Sequence, residues 1–140
     1  ITVWLDENTK ASLELSNGST KIQVAEKDGK PVFTITYSCS VNMTALEGDF
    51  KEHYGREYYD IIKNAAEGEL RKDAQTALNR CIFENKLDVL QMGRWMHKQQ
   101  SSLWAEWKEK WHDNMDRAEY VIDVQVDMQR VGKENTPSVE

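Results

Sequence analysis

A chain of 140 residues with 39% hydrophobic and 30% charged residues has the length and composition of a globular domain rather than a disordered segment. Its formal net charge of -6 repels phosphate backbones and no dense Lys/Arg run reverses this locally, so no nucleic acid is expected as a partner. No apolar run approaches the ~20 residues that span a bilayer, and the first residues carry no signal-peptide pattern.

The chain begins at Ile1 and reads like strand within a few residues, so a fragment of a longer protein is expected. Val3-Trp4-Leu5 is a short apolar stretch. Ala11, Leu13 and Leu15 then alternate with Ser12 and Glu14, the period of a half-buried strand. Asn17-Gly18 is a turn signal because both residues tolerate positive φ. Lys21 to Lys27 resumes the alternation with Ile22 and Val24 inward, and Asp28-Gly29 closes it as a hairpin turn.

The clearest strand follows. Phe33, Ile35, Tyr37, Cys39, Val41, Met43 and Ala45 fall on one face, with Thr, Ser and Asn on the other. From about Arg56 the period changes. Ile61, Ile62, Ala65, Ala66, Leu70, Leu78, Cys81 and Ile82 recur at three- and four-residue steps, predicting a long amphipathic helix that Gly68 weakens or bends. A second helix is predicted from near Asp88, its N-cap, with Val89, Leu90, Met92, Trp95 and Met96 apolar. Ser101 or Ser102 is the expected cap of a third, in which Leu103, Trp104, Trp107 and Trp111 share a side.

Period 2 returns at Tyr120, Ile122, Val124, Val126 and Met128. The order β-β-β-α-α-α-β predicts an α+β domain over residues 1–132: an antiparallel sheet of about four to five strands with long helices on one face. Residues 133–140 read as a flexible tail.

No catalytic, cofactor or metal site is expected. Glu47 and Asp88 best resemble placed carboxylates, but an N-cap role accounts for Asp88, and Glu47 stands alone beside a Gly turn. His53, His97 and His112 lie in different segments without metal-ligand spacing. No serine has a nucleophile-elbow context, and neither a P-loop nor G-x-G-x-x-G is present. Cys39 and Cys81 read as buried free thiols, with a single bridge between them left open. The tryptophans read first as a core clamp for Trp104, Trp107 and Trp111. Arg94, Trp95 and His97 form the candidate partner surface, because Trp and Arg are enriched at binding hot spots.

The run "LDVLQMGRWMHKQQSSLWAEWKEKWHDNM" followed by "VIDVQVDMQRVG" resembles the Ger(x)C family of spore-germination receptor C-subunit lipoproteins. Asp88, Gly93, Arg94, Trp104, Trp111 and Arg130-Val131-Gly132 occupy that family's motif places. The hairpin ending in Glu47 is similar to its third domain. Departures are Gln91 in place of a Gly, Met92 in place of an aromatic, and no Pro in Gln100 to Ser102. The resemblance implies a non-catalytic component of a germinant receptor at the outer face of the inner spore membrane, needed for nutrient-induced germination. It implies receptor A and B subunits as partners, and a membrane link through an N-terminal lipid anchor outside this fragment. The alternative is a small-ligand module holding a germinant or lipid, which an enclosed apolar pocket beside Trp104 or Trp107 would favour.

Overall fold

The structure, a computed structural model, describes residues 1–48 and 56–128, with side chains from residue 59 onward in the second stretch. The predicted tail 133–140 lies outside the described residues, as do Arg130 and Gly132. Four strands form one sheet in the order β1-β2-β3-β4: β1 Thr2–Asp6, β2 Thr9–Lys27, β3 Lys30–Glu47 and β4 Glu119–Met128. Between β3 and β4 come α1 Arg56–Leu78, continued as a π-helical turn over Asn79–Glu84, then α2 Met92–Gln99. A helical run follows, made of α3 Ser101–Trp107 and α4 Trp111–Asn114, with 3-10 turns at Lys108–Lys110 and Met115–Arg117. The predicted α+β order is the observed one.

The strands differ from the sequence expectation in two details. Asn17-Gly18 makes no hairpin turn. Asn17 adopts φ 55° inside a single 19-residue strand, so its left-handed tolerance serves a local irregularity in β2. The sheet is also mixed rather than wholly antiparallel. Phe33 stacks on Tyr120 at 5.2 Å, and Ser38 to Ser40 lie beside Gln125 to Asp127. Both strands therefore ascend together, and β4 runs parallel to β3. A helical crossover of this length permits the parallel return that a short hairpin forbids. The β2–β3 turn is as expected, with Asp28 at φ 53° and Gly29 at φ 78°, the left-handed pair a tight hairpin requires.

The described chain divides into two compact units. The first comprises Ile1–Ser19, Tyr37–Leu70 and the chain from Val124. Here β1 pairs antiparallel with β2, Val3 opposite Ala11 and Thr2 opposite Ser12. Its buried residues include Val3, Ala11, Leu13, Cys39 and Val41 from the strands, and Ile62 and Ala66 one helical turn apart on α1. Glu67 accepts the Val126 N–H at 3.0 Å, covering a donor on a strand whose sole sheet neighbour among the described residues is β3. Gly68 lies mid-helix without a break, and a Cβ there would meet nothing within 4 Å. Gly68→Ala is therefore expected to stabilise the chain by about 0.5–1 kcal/mol, read as a higher urea midpoint with unchanged slope.

The second unit holds Thr20–Thr36 and Arg71–Asp123. Its core joins Ile22, Val24, Phe33 and Ile35 from the sheet to Leu78, Ile82, Met92, Met96, Leu103, Trp107, Trp111 and Met115. This is the helical cover that a sheet with one greasy face needs. The outward edge of β2 is closed by side chains. Gln99 accepts the Val24 N–H at 2.7 Å and donates to the Ile22 carbonyl at 2.9 Å, while Gln100 donates to the Val24 carbonyl at 3.2 Å. One Gln99 amide thus makes the two bonds a residue of a neighbouring parallel strand would make.

Tyr120 begins β4 inside this core and donates its hydroxyl to the Met115 carbonyl at 2.8 Å. Burial pushes its phenol pKa well above the ordinary value, and the Asp88 and Asp116 carboxylates push the same way. A raised folded-state pKa means the unfolded chain releases the proton first. Stability from this group is therefore present below pH ~10 and falls as pH rises beyond it. Burial raises Tyr37 too, with the same sign. Tyr120→Phe should flatten the loss of stability above pH ~10 in urea titrations, while Tyr37→Phe changes it less.

Candidate functional site

The second helix starts at Met92, one turn later than the sequence predicts. Leu87 to Leu90 form a turn before it, and Gln91 stands at φ 58° at the helix entry. Asp88 still serves the helix. Its Oδ1 accepts the Met92 N–H at 2.6 Å and its Oδ2 accepts the Gly93 N–H at 3.0 Å, two donors that a helix start leaves without internal partners. The same Oδ2 accepts the Trp111 indole N–H at 3.0 Å. One carboxylate thereby ties the start of α2 to the start of α4, 23 residues on.

Gly93 shows how closely these parts meet. A Cβ there would lie 3.0 Å from Trp111 Nε1 and 3.1 Å from the Trp104 ring. A bare backbone at this position lets both indoles close over α2. Trp104 and Trp111 meet edge to face at 6.5 Å, and Trp111 packs on Phe33 at 5.8 Å. Four of the residues singled out from the sequence, Asp88, Gly93, Trp104 and Trp111, are thus brought into one cluster. Trp107 is buried beside them and donates its indole N–H to the Gly29 carbonyl at 3.0 Å.

The three partner-surface candidates lie on α2. Arg94 is exposed and donates from Nη1 to the Gln91 side chain at 3.2 Å. His97 is exposed, its ring stacked on Trp104 at 6.0 Å. Trp95 is half-buried against the core, with Lys98 Nζ 5.0 Å over its ring, so it is a wall of the surface rather than a protruding anchor. Arg94, His97 and Lys98 stand three and four residues apart and share a face, and α2 contains no acidic residue.

Glu47 belongs to the first unit, where its carboxylate is 3.7 Å from Lys10 with both groups well exposed. Such a pair contributes about 0–1 kcal/mol and holds no reactive geometry. Cys39 and Cys81 are free thiols, and burial raises the Cys39 pKa, away from reactivity. The cleft beside Trp107 is open and carries Asp28, Lys30, Glu106, Lys110 and Arg117, unlike the enclosed apolar pocket a small-ligand reading requires. No group of three metal-ligating side chains occurs among the described residues, and His53 lies outside them.

Sequence reasoning missed Leu87, Val89 and Leu90. Val89 and Leu90 were expected on the apolar side of a helix, yet both are exposed, and so is Leu87. Asp88 turns inward from the middle of the turn, which sends its neighbours out. The signal that could have found them is a capping carboxylate flanked by aliphatics on both sides.

By class this is an α+β domain in which a single carboxylate fixes a cationic helix and the turn leading into it. Residues 1–132 match the family described as "Spore germination B3/ GerAC like, C-terminal", and the chain belongs to that family. It is 21% identical over 119 residues to spore germination protein B3 of Bacillus subtilis (strain 168), covering 85% of this chain and 32% of that protein. Its fold is similar to that in "Crystal Structure of the GerBC protein", with a TM-score of 0.75, 21% identity, and coverage of 88% of this chain and 38% of the other. The chain thus spans about a third of the length of the relatives it matches.

Proposed function

We propose that residues 1–132 form the C-terminal domain of a lipoprotein subunit of a spore germinant receptor, and that this domain acts there as a non-catalytic scaffold. In this reading it contacts the receptor's A and B subunits. The longer protein sits at the outer face of the inner spore membrane through an N-terminal lipid anchor outside this fragment. Family membership supports the setting.

The observation that carries the contact role is the outer face of α2. Arg94, His97 and Lys98 lie together there without a counter-charge on the helix, and Asp88 holds that helix in place. A fixed cationic face gives a partner orientation and register at little ordering cost. Arg94→Glu combined with His97→Glu in the full-length protein should lower co-purification of the A and B subunits and slow nutrient-triggered germination. Thermal unfolding of the isolated chain should stay within about 0.5 kcal/mol of the parent, since both sites are exposed. Normal assembly and germination in this variant would refute the reading.

A further inference from the structure

We infer that the turn Leu87–Leu90 is an apolar knob that seats in an apolar groove on a protein partner, with carboxylates along the groove's edge meeting Arg94, His97 and Lys98. The inference rests on the partner-contact reading of α2 and adds the chemistry of the partner.

Exposure is the first support. Leu87 is 54% exposed, Val89 59% and Leu90 38%, three aliphatic side chains within four residues. Contiguous exposed apolar groups in a soluble surface mark contact sites more often than scattered ones do.

Fixation is the second. The Leu87 N–H donates to the Cys81 carbonyl at 2.7 Å, the Lys86 N–H to that of Ile82 at 3.2 Å, and the Gln91 N–H to that of Asp88 at 3.1 Å. Lys86 at φ 52° and Gln91 at φ 58° bracket the turn. Non-glycine residues persist in the left-handed region where the surrounding structure over-determines them. The knob is held in one shape.

Charge is the third. Asp88 is the sole acidic residue of the turn, and its oxygens face the Met92 and Gly93 amides and the Trp111 indole. The Lys86 ammonium is drawn off to the Asp113 carbonyl at 2.8 Å and the Asp116 carboxylate at 3.8 Å. The outward side chains of the knob are aliphatic, its one carboxylate being turned inward, and the knob is joined through Gln91 to Arg94 and so to the cations of α2. That is the anatomy of an interface with an apolar centre and a polar rim.

The occupant follows from these charges. Two copies of one cationic face would repel across a two-fold axis, which argues against self-pairing. A chain of net charge -6 is repelled by anionic lipid, and cations held on Gln91 and over the Trp95 ring match a shaped surface better than a fluid one. A protein groove with an acidic edge answers both features.

The test uses the full-length protein in its membrane assembly, with a photoreactive side chain placed at Val89 in one preparation and at Lys98 in another. The expected result is a crosslink from each position to a protein subunit, the Val89 adduct falling on an aliphatic segment flanked by Asp or Glu. Val89→Asp should reduce co-purification of that subunit about tenfold, as loss of an interface centre does, with the unfolding midpoint of the isolated chain unchanged. Crosslinks to protein from Lys98 but none from Val89 would overturn the knob and leave the reading of α2 standing. Absence from both positions would overturn both. Val89 adducts on lipid, or on a second copy of this protein, would overturn the groove.

Discussion

Asp88→Ala is expected to destabilise the chain by about 3 kcal/mol, lowering its thermal midpoint by roughly 10 °C. The carboxylate accepts the Met92 and Gly93 amides at the start of α2 and the Trp111 indole from α4. Removing a helix-capping acceptor costs ~0.5–2 kcal/mol. Stranding a partly buried donor that had a charged acceptor costs ~1.5–3 kcal/mol more. Asp88→Asn keeps the shape and one acceptor oxygen, so about half of the loss should remain. Thermal melts of the two variants beside the parent check the order: parent, then Asn, then Ala. Equal stability for all three would mean that the carboxylate holds nothing.

Gly93→Val should cost about 2 kcal/mol by overpacking. Any Cβ at this position sits 3.0 Å from Trp111 Nε1 and 3.1 Å from the Trp104 ring, and a branched one presses further. Neither ring yields cheaply. Trp111 is held by Asp88, and Trp104 lies between His97 and Trp111. The contrast with Gly68 is the informative part. Both glycines lie in helices, yet space around Gly68 is open, so Ala there gains helix propensity without a clash. Denaturant midpoints should move in opposite directions for Gly68→Ala and Gly93→Val. Movement in the same direction would show that backbone propensity, not indole packing, sets the response at Gly93.

The long elements were readable because their periodicities run uninterrupted. The alternation from Phe33 to Val41 and the three- and four-residue steps from Ile61 to Ile82 pick out residues buried within each of the two compact units. The indole face of Trp104, Trp107 and Trp111 was readable for the same reason. Asn17-Gly18 misled because local φ tolerance marks where a chain can turn. Whether it does turn is decided by pairing, and here β2 continues past it. The direction of β4 had no local signal, since the same alternating residues suit either orientation.

The site was half legible. Asp88 carried capping chemistry in the sequence, and it caps, but from four residues before Met92 rather than from the adjoining position. That shift of one turn frees Val89 and Leu90 from the apolar face they were expected to occupy. Its bond to Trp111 joins residues with no local relation, so it becomes visible when the helices are placed against each other. Glu47 resembled a functional carboxylate by position alone and is an exposed partner of Lys10.

Hydrogen exchange at the Trp111 indole, followed by NMR together with the amides of Met92 and Gly93, tests the Asp88 tie most directly. Slow, jointly protected exchange at all three is expected in the parent chain, with joint acceleration in Asp88→Asn. Fast exchange at the indole in the parent, or protection that survives loss of the carboxylate, would contradict it.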